Sequence, residues 1–195
     1  MSIRKLARTA ILSGIALAAA GAANADVFMK VDGAPGEALQ RGFEGQIILN
    51  GASLNISSFV TPDPDGVADT VRTMNAGPLF LTKSPDRASP KLMMSAVQGA
   101  PLGSIEISFT SPNRTGVGQQ VEARWILEGA EVRSFNVYPD TANGGAPTET
   151  IEISYSSMRY QYYAKDAKGQ RTGTMEEVSW KVPDQQLFPF DEGCR

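Results

Sequence analysis

The chain has 195 residues, 18 basic and 21 acidic, with no histidine and a single cysteine. A net charge of −3 argues against nucleic acid as a partner. Without histidine there is no Ser-His-Asp or Cys-His catalysis and no commonest zinc ligand, and one thiol cannot form an intramolecular disulfide.

The N-terminus reads as a secretory signal peptide over residues 1–25. Arg4, Lys5 and Arg8 form a basic region, Ile11 to Ala20 a short apolar run, and Ala23-Asn24-Ala25 a small-x-small cleavage site before Asp26. The apolar run is well short of the ~20 residues that span a bilayer. No other stretch is long and apolar enough, so no membrane partner is expected. The leader holds three basic residues and no acidic one, which leaves 170 residues with a net charge of −6. That length suits one domain with a real core. The expected product is soluble, and secreted or periplasmic.

The remainder reads as β with one helix. Val27 to Val31 is a first strand ended by Asp32-Gly33. Gln46 to Leu49 and Ser53 to Phe59 read as two strands, or as one broken at Asn50-Gly51, a hairpin dipeptide. Thr61 to Gly77 reads as a long polar loop without periodicity, of a length usually functional or disordered. Leu79 to Lys83 is a strand leading into the helix signal. There Ser89 is placed as N-cap, with Pro90 at the first helical position. Leu92, Met93, Ala96 and Val97 fall at helical spacing and are expected to share one buried face. Gly99 closes the helix.

Beyond the helix the chain alternates. Ile105, Ile107 and Phe109 share one strand face, and so do Val121, Ala123, Trp125 and Leu127. After Gly129-Ala130, Val132 to Tyr138 continues the pairing, up to a turn at Asn143-Gly144-Gly145. Thr150 to Tyr163 is a long strand. Ile151, Ile153 and Tyr155 lie on one side, and around Ser156-Ser157 the phase shifts to Met158, Tyr160 and Tyr162. Such a shift marks a bulge or sharp bend. Lys165 to Gly169 is a turn, and Thr174 to Val182 the last strand, ended by Pro183. The domain is therefore placed at 26–183, with 184–195 as a C-terminal tail carrying Leu187-Phe188, Phe190 and Cys194. Eight or so short strands joined by tight turns imply an antiparallel barrel or sandwich, plugged or flanked by the helix.

No residue set stands out as catalytic, cofactor-binding or metal-ligating. Glu106 with Glu122, or Glu149 with Glu152, are the only imaginable acid–base pairs of a hydrolase. Glu106 and Glu152 alternate with isoleucines, as solvent-face residues do. Asp63 to Asp69 resembles part of a calcium loop, but it lacks the third near ligand and the terminal bidentate glutamate. Gly116-Val117-Gly118 opens no helix and is no dinucleotide fingerprint. Tyr155, Tyr160, Tyr162 and Tyr163 offer a stacking platform or, more simply, good strand formers. Met93-Met94 reads as core, and Cys194 as an unpaired tail residue.

Taken in order, the segments resemble the haemolysin-coregulated protein (Hcp) family, the tube proteins of type VI secretion. The resemblance runs from about Val27 to Pro183. It is carried by VFMKVDGAPGE, by LTKSPDRASPKLMMSAVQG with its Ser89-Pro90-Lys91-Leu92 helix start, by Ile105 to Phe109, Glu131 to Phe135 and Thr148 to Ile153, and by the tyrosine-rich strand, Lys168-Gly169 and Trp180. It implies a mainly β fold, an antiparallel β-barrel of two sheets with one flanking α-helix. It also implies a homo-oligomer, a hexameric ring, whose rings stack into a tube expelled with cargo and a spike protein. In that family the loop equivalent to Thr61–Gly77 helps rings stack, and no active site or cofactor is needed. Typical members carry no cleavable leader, so the leader here departs from the pattern. The alternative is an exported monomeric β-barrel module binding a carbohydrate or protein partner.

Overall fold

The computed structural model describes residues 26–62, 66, 70–113, 118–141 and 144–182. The expected leader, Asp63 to Asp65, Val67 to Asp69, Gly116-Val117, and the tail with Cys194 lie outside them. Nine strands and one helix follow in the order β1 (Val27–Val31), β2 (Ile47–Leu49), β3 (Gly51–Pro62), β4 (Thr70–Lys83), α1 (Ser89–Gln98), β5 (Pro101–Pro112), β6 (Gln119–Asp140), β7 (Ala146–Ser154), β8 (Ser157–Lys165) and β9 (Arg171–Lys181).

Every pairing is antiparallel. Alternation puts the apolar residues in rows across the sheet, because strand side chains repeat every two residues. Val31, Ile105, Leu127, Met158 and Trp180 lie opposite one another across five strands. Leu79, Ile153 and Val132 form a second row. These rows and their neighbours make one core, to which Ala88 and Leu92 at the helix start contribute. Burying such side chains contributes about 1.5–3 kcal/mol each.

The hydrogen-bonded path runs β2-β1-β5-β6-β7-β4-β3, with β8 and β9 added beyond β6. Its two ends, β2 and β3, are separated in the chain only by Asn50, whose N–H donates to the Thr82 carbonyl at 2.8 Å. The chain itself thus brings the ends of an unclosed ladder together, and the sheet wraps into a barrel-like shape. The two sheets expected from sequence are one ladder, joined through the 22-residue β6. Its first half pairs with β5 and β8, its second half with β7. Gly129 sits at the join with φ +61°, where a Cβ would stand 2.3 Å from Ser156 Oγ. Opposite it, the chain breaks between β7 and β8 at Tyr155-Ser156, and the Ser156 N–H and hydroxyl both donate to Glu128 O. The bend expected near Ser156-Ser157 is this change of partner from β4 to β9.

Three expectations are corrected. Asn50-Gly51 makes no hairpin: Gly51 has no positive φ, and the chain runs on from β2 into β3 while changing neighbours. Thr61–Gly77 is not a long loop: β3 and β4 pair from Ile56↔Ala76 out to Pro62↔Thr70, with only 63–69 beyond the ladder. Among the described residues no third strand pairs with this outer ribbon, and Asn55 to Val60 are exposed on both its faces. Its serines and asparagines therefore show no apolar alternation to read. Ile56, Phe59 and Val60 are about half exposed on it.

The helix is the third case. Ala88, not Ser89, is its N-cap, and it makes no side-chain cap. Gly99 ends it in the left-handed region (φ +62°), as expected. The buried face holds Ser89, Leu92 and Ser95, whereas Met93, Met94 and Val97 are 43%, 46% and 75% exposed. One large anchor, Leu92, is enough to seat so short a helix.

A second, smaller cluster covers the opposite face of β1, where Phe28, Ala38, Phe43, Val121 and Tyr163 pack together. Phe28 and Phe43 stack with centroids 4.3 Å apart. Arg171 lies 3.7 Å over the Tyr163 ring.

Candidate functional site

The one buried charged cluster among the described residues lies where the helix begins. Lys83, the last residue of β4, is fully buried. Its Nζ donates to Glu149 Oε2 at 2.7 Å, to Ser89 Oγ at 2.9 Å and to the Ser84 carbonyl at 2.9 Å. Asp86 Oδ1 is 2.9 Å away. The Ser89 hydroxyl donates to Glu149 Oε2 at 2.8 Å and accepts the Asp86 N–H at 3.0 Å. Asp86 Oδ1 accepts the Ala88 N–H at 3.0 Å, an Asx turn that leads the chain into the helix without capping its first turn.

β-sheet register builds this cluster. Lys83 continues the inward parity of Leu79 and Leu81, and Glu149 that of Ile151 and Ile153; the two stand directly opposite each other. A legible signal existed, since opposite charges occupied core parity on two strands. It required knowing that β4 and β7 are neighbours. Buried charges without such partners are costly. The cluster ties β4, β7 and the helix start into one unit and presents no free group to a substrate.

The acid–base pairs do not assemble. Glu149 points into the core and Glu152 to the other side of the same strand. Glu106 is held by Arg124 Nε at 3.2 Å and accepts from Ser108, and Glu122 is ion-paired to Lys165. Burial pushes the Glu122 carboxyl up, but hydrogen bonds from Lys165 and Ser111 and the Lys165 charge outweigh it and hold it below its ordinary value. That is the wrong direction for a general acid. A group depressed in the fold stabilises above its unfolded pKa and loses that contribution as pH falls through its folded pKa. Glu122→Gln is therefore expected to lower the urea midpoint slightly at pH 7, by an amount that shrinks as pH falls below 4.5. Paired urea titrations at pH 7 and pH 3 check this.

The four tyrosines do not share one surface. Tyr155 is in the core and donates to the Gly77 carbonyl, and burial pushes its hydroxyl up, against a smaller opposing contribution from Trp180. Tyr163 lies in the second cluster, and Tyr162 is exposed. Met93-Met94 is not core. The calcium-like segment lies outside the described residues save Gly66, and among the described residues no three acidic, cysteine or histidine side chains gather.

What remains on the surface is strand edge and apolar side chain. The β3–β4 ribbon projects with Ile56, Phe59 and Val60, the outer β6–β7 hairpin exposes Val137 and Tyr138, and β9, paired among the described residues only to β8, exposes Met175 and Val178. Such edges template further pairing. Fold and site together define a barrel-like antiparallel β protein whose core charges lock its helix and whose free features are edges and arms.

The family described as "Type VI secretion system effector, Hcp" matches residues 28–162. The chain belongs to this Hcp family. No curated protein matches it significantly by sequence. Among solved structures it is similar to one titled a type six secretion system protein, with 22% identity, TM-score 0.68, and 81% of this chain and 96% of that one covered. It is similar to Hcp1 from Salmonella typhimurium, with 18% identity, TM-score 0.64 and coverage of 81% and 95%. The secreted protein Hcp3 from Pseudomonas aeruginosa gives 19% identity, TM-score 0.56 and coverage of 81% and 99%. At these identities the likeness speaks for the fold.

Proposed function

We propose that this chain is a non-enzymatic structural protein of type VI secretion type, assembling into hexameric rings that stack and carry cargo. The observation that carries this reading is the Hcp family match across most of the barrel. The surface supports it: the β3–β4 ribbon projects beyond the barrel with exposed apolar side chains, and among the described residues β9 pairs only with β8. The domain is 26–183 and the segment 1–25 a cleaved leader, which places the product in the periplasm or outside the cell. No described helix is long and apolar enough to cross a membrane, and neither membrane nor nucleic acid enters this reading.

Native mass of residues 26–195, by light scattering on a size-exclusion column, tests the assembly. Six protomer masses are expected. A monomer at micromolar concentration overturns the ring and favours the exported binding module. Cleavage before Asp26, read by N-terminal sequencing of the exported protein, tests the leader separately.

A further inference from the structure

The projecting ribbon leaves the barrel at a bulge. β3 and β4 pair on both sides of it, Leu54 with Leu79 and Ile56 with Ala76. Two residues, Gly77 and Pro78, therefore stand against the single Asn55. Such a bulge bends and twists the ribbon locally, and Pro78 has no N–H to give to a ladder. β7 parts from β4 at the same level, since their pairing stops at Leu79↔Ile153. The root of the ribbon is thus thin in backbone hydrogen bonds.

A tyrosine fills the gap. Counted on from Leu79↔Ile153, Tyr155 falls opposite Gly77, but it has left the ladder at the break between β7 and β8. Its side chain is buried in the core, and its hydroxyl donates to the Gly77 carbonyl at 3.3 Å. That is a long bond for a hydroxyl donor.

A phenol has one proton to give and lone pairs with which to accept. The donor beside those lone pairs is Trp180 of β9. The Trp180 Nε1–H is buried and makes no hydrogen bond among the described residues. A buried N–H left so is costly, and the hydroxyl it neighbours is the acceptor that a small shift of the indole would supply.

We propose that Trp180, Tyr155 and Gly77 form a latch that couples β9 to the root of the β3–β4 ribbon. In the open arrangement, seen here, the bulge is held to the core by one long hydrogen bond and the ribbon pivots there. The latch closes when Trp180 donates to the Tyr155 hydroxyl. A hydroxyl that accepts is polarised into a better donor, so the bond to Gly77 tightens and the ribbon is fixed against the barrel. β9 pairs among the described residues only with β8 and is exposed along most of its length. Whatever settles along β9 therefore shifts Trp180 and is felt at the ribbon.

Amide hydrogen exchange of residues 26–195, at matched native mass, reads the latch. Tyr155→Phe removes only the hydroxyl. It is expected to speed exchange at Ile56 to Val60 and Met74 to Ala76 by about two- to tenfold relative to Ile107 and Leu127 in the barrel, the worth of one ordinary hydrogen bond. Trp180→Phe removes the indole N–H. It is expected to speed the same ribbon amides relative to the barrel, and to add nothing once Tyr155→Phe is present, because the coupling runs through the hydroxyl. Ribbon exchange that Tyr155→Phe leaves unchanged, or raises only in step with Ile107 and Leu127, overturns the latch. An equal effect of Trp180→Phe in both backgrounds overturns its coupling to β9.

Discussion

Lys83→Ala is expected to destabilise the protein by about 3–5 kcal/mol, the range for removing one partner of a buried ion pair. For a domain of this size that is a fall in Tm on the order of 10 °C. The reason lies in what is left behind. Lys83 is fully buried, and its loss strands Glu149, 4% exposed, with only the Ser89 hydroxyl as donor among the contacts described above. Asp86 is more tolerant, being 10% exposed and still bonded to the Ala88 N–H. Replacing both main partners by apolar residues, Lys83→Met with Glu149→Leu, is expected to recover much of the loss, because the more deeply buried carboxylate goes with its partner and Asp86, 10% exposed, keeps the Ala88 N–H. Thermal and urea unfolding of the three proteins, followed by circular dichroism, decide the matter. If the double variant is no better than Lys83→Ala, the cluster contributes by its shape and not by its charge balance.

Gly36→Ala is expected to cost at least about 3 kcal/mol, at or above the usual range for overpacking. A Cβ built at Gly36 lies 2.3 Å from the Gln46 carbonyl oxygen and 2.4 Å from the Ile47 Cα. Both are backbone atoms of the segment entering β2, so no flexible side chain can yield. The same residue is tied by its N–H to the Gly45 carbonyl at 2.8 Å. Separating these segments would lift Ala38 and Phe43 from Phe28, uncovering the second cluster. Loss of near-ultraviolet dichroism and a lower urea midpoint are the readouts. An unchanged midpoint would mean that the 34–46 segment is not needed to cover Phe28.

The strands of the barrel were legible wherever one face is buried. Ile105/Ile107, Trp125/Leu127 and Ile151/Ile153 each alternate because one side packs and the other is free to be polar. The outer β3–β4 ribbon was misread because Asn55 to Val60 are exposed on both faces, so no alternation was needed there. The helix was found by Pro90 and Gly99, but its buried side was mistaken: Met93 and Val97 are as apolar as Leu92, and helical spacing alone does not say which side meets the barrel. The core ion cluster went unseen because Lys83 and Glu149 are 66 residues apart and each alone reads as a surface charge.

By itself, then, the sequence determined the class of fold, the position of the one helix, a break near Ser156-Ser157 and the absence of histidine-based chemistry. All of these follow from local periodicity, turn residues and composition. Only the tertiary structure decided that β2 and β3 bring the ends of one ladder together, that β6 serves both halves of it, that Lys83 and Glu149 meet, and which apolar side chains stay outside. These depend on strand neighbours, and pairing between distant strands is set by the summed burial of many side chains, a quantity no short window of sequence contains.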